Sequence, residues 1–412
     1  MSNLEPFNDQ WILDLSTSSP DRDKRWDVFK SYVYDPTPRL FADHKRKNYN
    51  YLSFFSMKDC LEISSNPNVF ISNNGYMIND NFEGIPFTGS LLSMDGIEHR
   101  KTRSIISSVF TRSSIMQLET LISSVVDQVF KDAIEKNSNG DIDFYNDLCL
   151  LVPLEINRKM MGVPEKDSFD ILELTKYVIG NDDPRYGDGD PMVWLKSCRK
   201  LRRQAIKLGR SKSGMGGDDI TSRLLGEQGG SVGLDLEDFA QFFMLLVIAG
   251  METTTHALAH GIKLLSENPE ERYKLSNNFD RYIEGACEEI LRFEPPVLYF
   301  RRTCSEDTAV GDTEIKKGTR VAMWYNCVNR DPSIFYDSFN FKIDRELKPP
   351  HVTFGAPGVH HCIGAQLARL EMKIFYKKLF ELMPDFNIDS NTILYGKSRW
   401  GNGFRSCHGT WK

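Results

Sequence analysis

The chain has 412 residues, with 51 Lys and Arg against 57 Asp and Glu, so its formal net charge is −6 at pH 7. That mildly acidic balance excludes the basic excess of a typical nucleic-acid binder, and 26 Phe, 15 Tyr and 6 Trp exclude a disordered chain. Hydrophobic residues at 40% and charged residues at 26% describe a globular protein with ample material for a core.

From the amino terminus, residues 1–10 carry neither the basic region nor the apolar region of an export signal. Eight cysteines are spread too thinly for a disulfide framework, so the thiols are read as reduced and the protein as cytoplasmic. A β-like run covers residues 49–55, and a second covers 319–324. Helical periodicity covers 115–135, 169–178 and 192–208. Turn-rich stretches at 181–191, 209–219 and 226–233 read as loops. The strongest helix runs from Asp235 to about Glu267, roughly 30 residues or ~45 Å. Asp235 caps it with Asp238 at capping-box spacing, and Asn268-Pro269 stops it. Its flank from Phe239 to Ala249 is apolar on nearly every side, which indicates full burial. The longest apolar run, 242–250, is about half the ~20 residues of a membrane span, so none is predicted. The pattern as a whole predicts a mainly α fold with a minor β region, as a single domain over residues 1–412.

Three constellations stand out. The first is Ala249-Gly250-Met251-Glu252-Thr253-Thr254, which sets polar groups inside the buried helix. Gly and clustered Thr are poor helix-interior choices, and a buried Glu without a partner is costly. Either an acid beside an alcohol relays protons to a bound oxygen species, or the Thr hydroxyls bond back to their own carbonyls at a kink. The second is Glu289-Ile-Leu-Arg292, an acid and a base on one helical face, which alone reads as a solvated pair. The third is Phe354-Gly355-Ala356-Pro357-Gly358-Val359-His360-His361-Cys362-Ile363-Gly364-Ala365, followed by an apolar-periodic helix over 366–380. A Gly-rich loop carries one Cys to a helix start, where backbone N–H groups and the dipole stabilise a thiolate. One such soft ligand suits haem iron, whereas the alternative is an inert buried Cys.

Together these motifs resemble the cytochrome P-450 superfamily of haem-thiolate monooxygenases. Glu252 and Glu289 lie 37 residues apart and Glu289 and Cys362 lie 73 apart, similar to its bacterial members. The segment from Asp95 through His99 to Arg103 is similar to the family's H-x-x-x-R helix, and Arg301-Arg302-Thr303 follows Pro295-Pro296. The resemblance covers about residues 90–412. It implies Cys362 as the iron ligand of haem b, and His99, Arg103, Arg302 and His360 as partners of the two haem carboxylates, with Arg301 assisting. It further implies Glu289 and Arg292 as a buried structural pair, and Glu252 and Thr253 as the acid–alcohol pair of proton delivery. Electrons are expected from a separate 2Fe-2S ferredoxin and its NAD(P)H reductase, because the chain shows no nucleotide-binding Gly fingerprint. A monomer is expected.

Two departures matter. One extra residue lies between Phe354-Gly355 and Gly358, a form similar to a bacterial subset acting on steroid side chains, branched lipids and terpene alcohols. Met251 stands where that subset often has a polar residue. Family pocket regions fall on Phe87, Ile248, His256, Val297, Tyr299, Asn402 and Phe404, with Asn181, Asp182, Asp183 and Tyr186 nearby. Such a mixture of polar groups and aromatics suits a hydroxylated ring, since an unpaired buried polar group costs ~1–3 kcal/mol. The favoured substrate is therefore a methylated sugar, with oxidative demethylation of 6-O-methyl-galactose to galactose and formaldehyde. The alternative is a terpenoid, steroid or branched-chain lipid. A different class of function is a non-haem metal site built on His351, His360, His361 and Cys362, or a haem sensor.

Overall fold

The structure is a computed structural model that describes residues 19–42, 50–78, 90–179, 185–187, 190–214, 216–226, 233–396, 398 and 400–412. Phe87 and Asn181, Asp182 and Asp183 lie outside the described residues. Two compact units interleave along the chain. The first comprises Met1–Asp80, Glu267–Cys362 and Leu394–Gly403; the second comprises Asn81–Ser266, Ile363–Ile393 and Phe404–Lys412.

The first unit is built on a five-stranded sheet ordered Arg39–Ala42, Asn50–Phe54, Arg320–Trp324, Tyr299–Cys304 and Phe70–Ile71. Both β-like runs of the sequence are strands here, and they pair in parallel, with Tyr51 opposite Arg320 and Phe54 opposite Met323. Alternate residues of a strand face opposite sides of its sheet. Leu52, Phe54, Val321 and Met323 accordingly enter one core cluster. Tyr51, Ala322 and Trp324 enter another, together with Phe29, Tyr32 and Tyr299. Both faces are covered, which explains why the central strands read as apolar runs rather than as alternation.

The second unit is helical, with a three-stranded sheet of Asp141–Asp143, His408–Thr410 and Asn387–Ile388. Its longest helix is Leu236–Glu267, 32 residues. Asp235 caps that helix by accepting from the backbone N–H groups of Glu237 and Asp238 at 2.9 and 2.8 Å. Pro269 opens the next helix, Pro269–Asn277. Among the described residues, Leu236–Glu267 is the one helix long and apolar enough to cross a membrane, and 67% of its apolar window is buried within the fold.

Two boundaries differ from the sequence pattern. The periodic segment 115–135 is two helices, Arg112–Gln117 and Glu119–Lys136, because Leu118 N–H closes a tight turn onto the Ile115 carbonyl at 3.0 Å. Helix Pro191–Lys212 continues through Gly209, which the composition suggested as loop. That glycine is a close-approach site, since a Cβ there would meet Leu236 Cδ2 at 2.8 Å.

Candidate functional site

The cysteine loop belongs to the first unit. Its bend rests on Gly355, whose φ of +84° lies in the left-handed region that a glycine enters without strain. The Gly355 N–H donates to Val352 O and the Cys362 N–H to Phe354 O, both at 2.8 Å. Gly358 lets the loop lie against the end of helix Met57–Ser65, for a Cβ there would stand 2.7 Å from Ser64 O. This folding presents Cys362 as the exposed cysteine, whereas the other seven are buried. Burial pushes the Cys60 and Cys198 thiols up to about 12, and it raises Cys149 and Cys327 as well. Thiolate chemistry near neutral pH is thereby disfavoured at these buried positions.

Two basic side chains, His360 and Arg302, belong to the same unit. His360 Nε2 lies 3.1 Å from the Oγ of buried Ser72. Arg302 is buried on strand Tyr299–Cys304, with Nη1 donating to the Arg301 carbonyl at 2.8 Å. Arg301 is committed elsewhere. Its guanidinium donates to Asn74 O and its backbone N–H to Tyr76 O. One exposed soft sulfur ligand, with an imidazole and a guanidinium in the same unit, is a donor set that fits an iron porphyrin with two carboxylates.

Glu289 and Arg292 are not a solvated pair, for both are 0% exposed. Arg292 Nε and Nη2 donate to the two carboxylate oxygens at 2.7 and 2.8 Å. Arg292 Nη1 serves the carbonyls of Asn329 and Ser338. Arg345 Nε adds bonds of 3.1 Å to both Glu289 oxygens, and Lys342 N–H donates at 3.0 Å. Sequence reasoning missed Arg345, because 56 residues separate it from Glu289 and no local spacing announces it.

Of the pocket positions in this unit, Val297 forms an isolated bridge with Gly401. Tyr299 is a core residue whose ring lies tilted against Trp324, and its hydroxyl accepts from Ile78 N–H at 3.3 Å. The Asn402 amide donates to Glu294 at 2.8 Å and to the Pro295 carbonyl. The polar tips of Tyr299 and Asn402 are therefore tied to the protein itself, which removes two supports of the sugar argument. His351 also has local partners, with Nε2 3.3 Å from Glu288 Oε2 and Nδ1 accepting from Thr353 N–H. Among the described residues no group of three or more His, Cys, Asp or Glu is arranged to hold a metal ion, so the zinc alternative gains no support.

In the second unit, His99 and Arg103 sit one turn apart on helix Gly96–Ser107, His99 buried and Arg103 half-buried. On Leu236–Glu267, Thr253 Oγ1 donates to the Ala249 carbonyl at 2.5 Å, the local back-bond that the sequence left open. Gly250 is where Asn157 approaches the helix, a Cβ there standing 3.2 Å from Asn157 Oδ1. Glu252 is 16% exposed, and its Oε1 lies 3.5 Å from Nε2 of His256, one turn on. Ile248 is half-buried and Phe404 buried, and the Phe404 N–H donates to His256 Nδ1 at 3.4 Å. Tyr145 stacks on the His256 ring at 5.9 Å. Burial, then the nearby Glu252 charge, raises its phenol and keeps it neutral.

The family model described as Cytochrome P450 matches residues 59–383. A methyl-branched lipid omega-hydroxylase of Mycobacterium tuberculosis is 33% identical over 328 residues, covering 79% of this chain and 76% of that protein. A steroid C26-monooxygenase of Mycolicibacterium smegmatis is 33% identical over 318 residues, 76% of this chain and 71% of its own length. Among solved structures, a Mycobacterium marinum cytochrome P450 in complex with pseudoionone superposes with a TM-score of 0.88 at 27% identity. That match covers 99% of this chain and 100% of the other. A Bacillus megaterium structure in complex with corticosterone gives a TM-score of 0.81 at 25% identity, covering 94% and 99%.

Proposed function

The chain belongs to the cytochrome P450 family: it is a monooxygenase whose cofactor is haem b, held through a cysteine thiolate, and we propose that this thiolate is Cys362. The supporting observation is that Cys362 alone among the eight cysteines is exposed, on a glycine-shaped loop two residues before the Gly364 cap of helix Ala365–Leu382. When bound, the haem supplies the chemistry by which one atom of O₂ enters a substrate C–H bond and the other leaves as water. Arg302 and His360 and, by the family's pattern, His99 and Arg103 would be the partners of its two carboxylates. Glu289 and Arg292, joined by Arg345, fix the chain around the cysteine loop. The Glu252 carboxyl holds a proton and the Thr253 hydroxyl passes it on, which requires Oγ1 to swing from the Ala249 carbonyl. Electrons come from a separate 2Fe-2S ferredoxin with an NAD(P)H-dependent reductase. The protein acts as a cytoplasmic monomer, one domain over residues 1–412.

The substrate is an apolar molecule of the terpenoid, steroid or branched-chain lipid class. Its support is twofold: the named relatives act on a methyl-branched lipid and a steroid, and Tyr299 and Asn402 spend their polar groups inside the protein. The methylated-sugar reading finds no counterpart among those relatives. Spectral titration tests the choice, with a methyl-branched fatty acid, a C27 steroid and a terpenoid ketone against 6-O-methyl-galactose. The apolar ligands are expected to shift the Soret band and to give coupled hydroxylation. A shift with the sugar alone, with formaldehyde released, contradicts it.

A further inference from the structure

The polar cluster around Glu252 contains more than the acid and its neighbouring alcohol. His256 follows Glu252 by one turn, is 6% exposed, and presents Nε2 to Glu252 Oε1 at 3.5 Å. Its other ring nitrogen receives the Phe404 backbone N–H at 3.4 Å. A backbone N–H only donates, so Nδ1 must offer its lone pair, and in the neutral ring the proton then resides on Nε2. Nε2 is the ring nitrogen nearest the Glu252 carboxyl, 3.5 Å from Oε1. Stacking against Tyr145, with 14° between the planes, fixes the imidazole plane. The phenol of Tyr145 and, beyond it, Cys149, Tyr186 and Arg185 are the titratable groups acting on this side of the cluster.

We propose that His256 is a positioning residue for proton delivery: its Nε2–H holds the Glu252 carboxylate in place, and the Phe404 N–H locks His256 in the tautomer able to do so. The inference rests on reading Glu252 and Thr253 as the acid–alcohol pair. Thr253 is back-bonded to Ala249, so the orientation of Glu252 is set by what reaches its carboxylate, and among the described residues that is His256. Strand Phe404–Ser406 thereby sets the geometry of the acid, although it contributes no side chain to the acid itself.

The test pairs a spectroscopic readout with a kinetic one. In the ¹⁵N-histidine-labelled ferrous CO complex, the signal missing from His256→Phe is assigned to His256. The expected signature is an unprotonated Nδ1 and a protonated Nε2; a protonated Nδ1 overturns the proposal. Product formed per NAD(P)H is then compared in His256→Phe, His256→Gln, Glu252→Gln and the double variant His256→Phe/Glu252→Gln. His256→Phe keeps the ring stack but loses the donor, so coupling is expected to fall at least about threefold with the CO band unchanged. His256→Gln restores a donor and recovers most of the loss, and the double variant is no worse than Glu252→Gln, since the two act through one carboxylate. Full coupling in His256→Phe beside a defect in Glu252→Gln defeats the role of His256 alone. Full coupling in Glu252→Gln defeats the acid–alcohol reading beneath it. Should His256→Phe lose the CO band, the tautomer of the parent protein and the His256→Gln coupling decide.

Discussion

Glu289 and Glu252 are both acids on helices set among apolar neighbours, yet their surroundings differ in kind. Glu289 accepts from Arg292 twice, from Arg345 and from a backbone N–H, so its lone pairs are fully used. Glu252 is met by His256 at 3.5 Å, and the hydroxyl beside it is parked on a helix carbonyl. A saturated buried charge is fixed, because any movement abandons several partners at once. A sparsely held one moves at little cost, which is what a group that must pick up and pass a proton requires. The same residue type is thus saturated with partners in one unit and sparsely held in the other, as the proposed proton-delivery role of Glu252 requires.

The contrast is sharpest under mutation. Arg292→Ala leaves the Glu289 charge buried with only Arg345 Nε and the Lys342 N–H bonded to it and strips two carbonyls of their donor, so a stability loss of about 3–5 kcal/mol is expected. Denaturant unfolding of the haem-loaded protein reads it, and a loss under about 1 kcal/mol would mean that the cluster is slack after all. Thr253→Ala should behave oppositely. The Ala249 carbonyl lies within the helix, so the unfolding midpoint should hold while coupled turnover drops and hydrogen peroxide accumulates. General acid–base positions carry about 10²–10⁴-fold, and a fall below about threefold counts against the role.

The smallest perturbation removes no protein atom. In haem-stripped protein, iodoacetamide at pH 8 should label one thiol quickly, because Cys362 is exposed while burial holds Cys60 and Cys198 at about 12. Reloading haem should protect that thiol. Mass spectrometry of the labelled peptides checks both statements, and rapid labelling of several cysteines would show that the buried set is not inert.

Much of this was readable in the chain. The long helix, its Asp235 cap and its Pro269 stop follow from local chemistry, and both β-like runs are strands. What escaped the sequence is long-range. Arg345 joins Glu289 from 56 residues away, Phe404 reaches His256 from 148 residues away, and no periodicity encodes either contact. Gly209 looked like punctuation but is a packing contact against Leu236, because a missing side chain signals a turn and a close approach alike. Tyr299 and Asn402 looked like pocket polarity, yet hydroxyl and amide found partners in Ile78 and Glu294. A polar residue type shows that hydrogen bonds must be made, and only the fold shows with whom.

The central claim is that Cys362 carries the iron. The direct measurement is the absorption spectrum of reduced, CO-treated Cys362→Ala beside the parent protein and Cys287→Ala. The account predicts the red-shifted thiolate-type Soret band in the parent and in Cys287→Ala, and its loss in Cys362→Ala. A Cys362→Ala protein that keeps that band would contradict the assignment of the ligand and the reading of the loop that presents it.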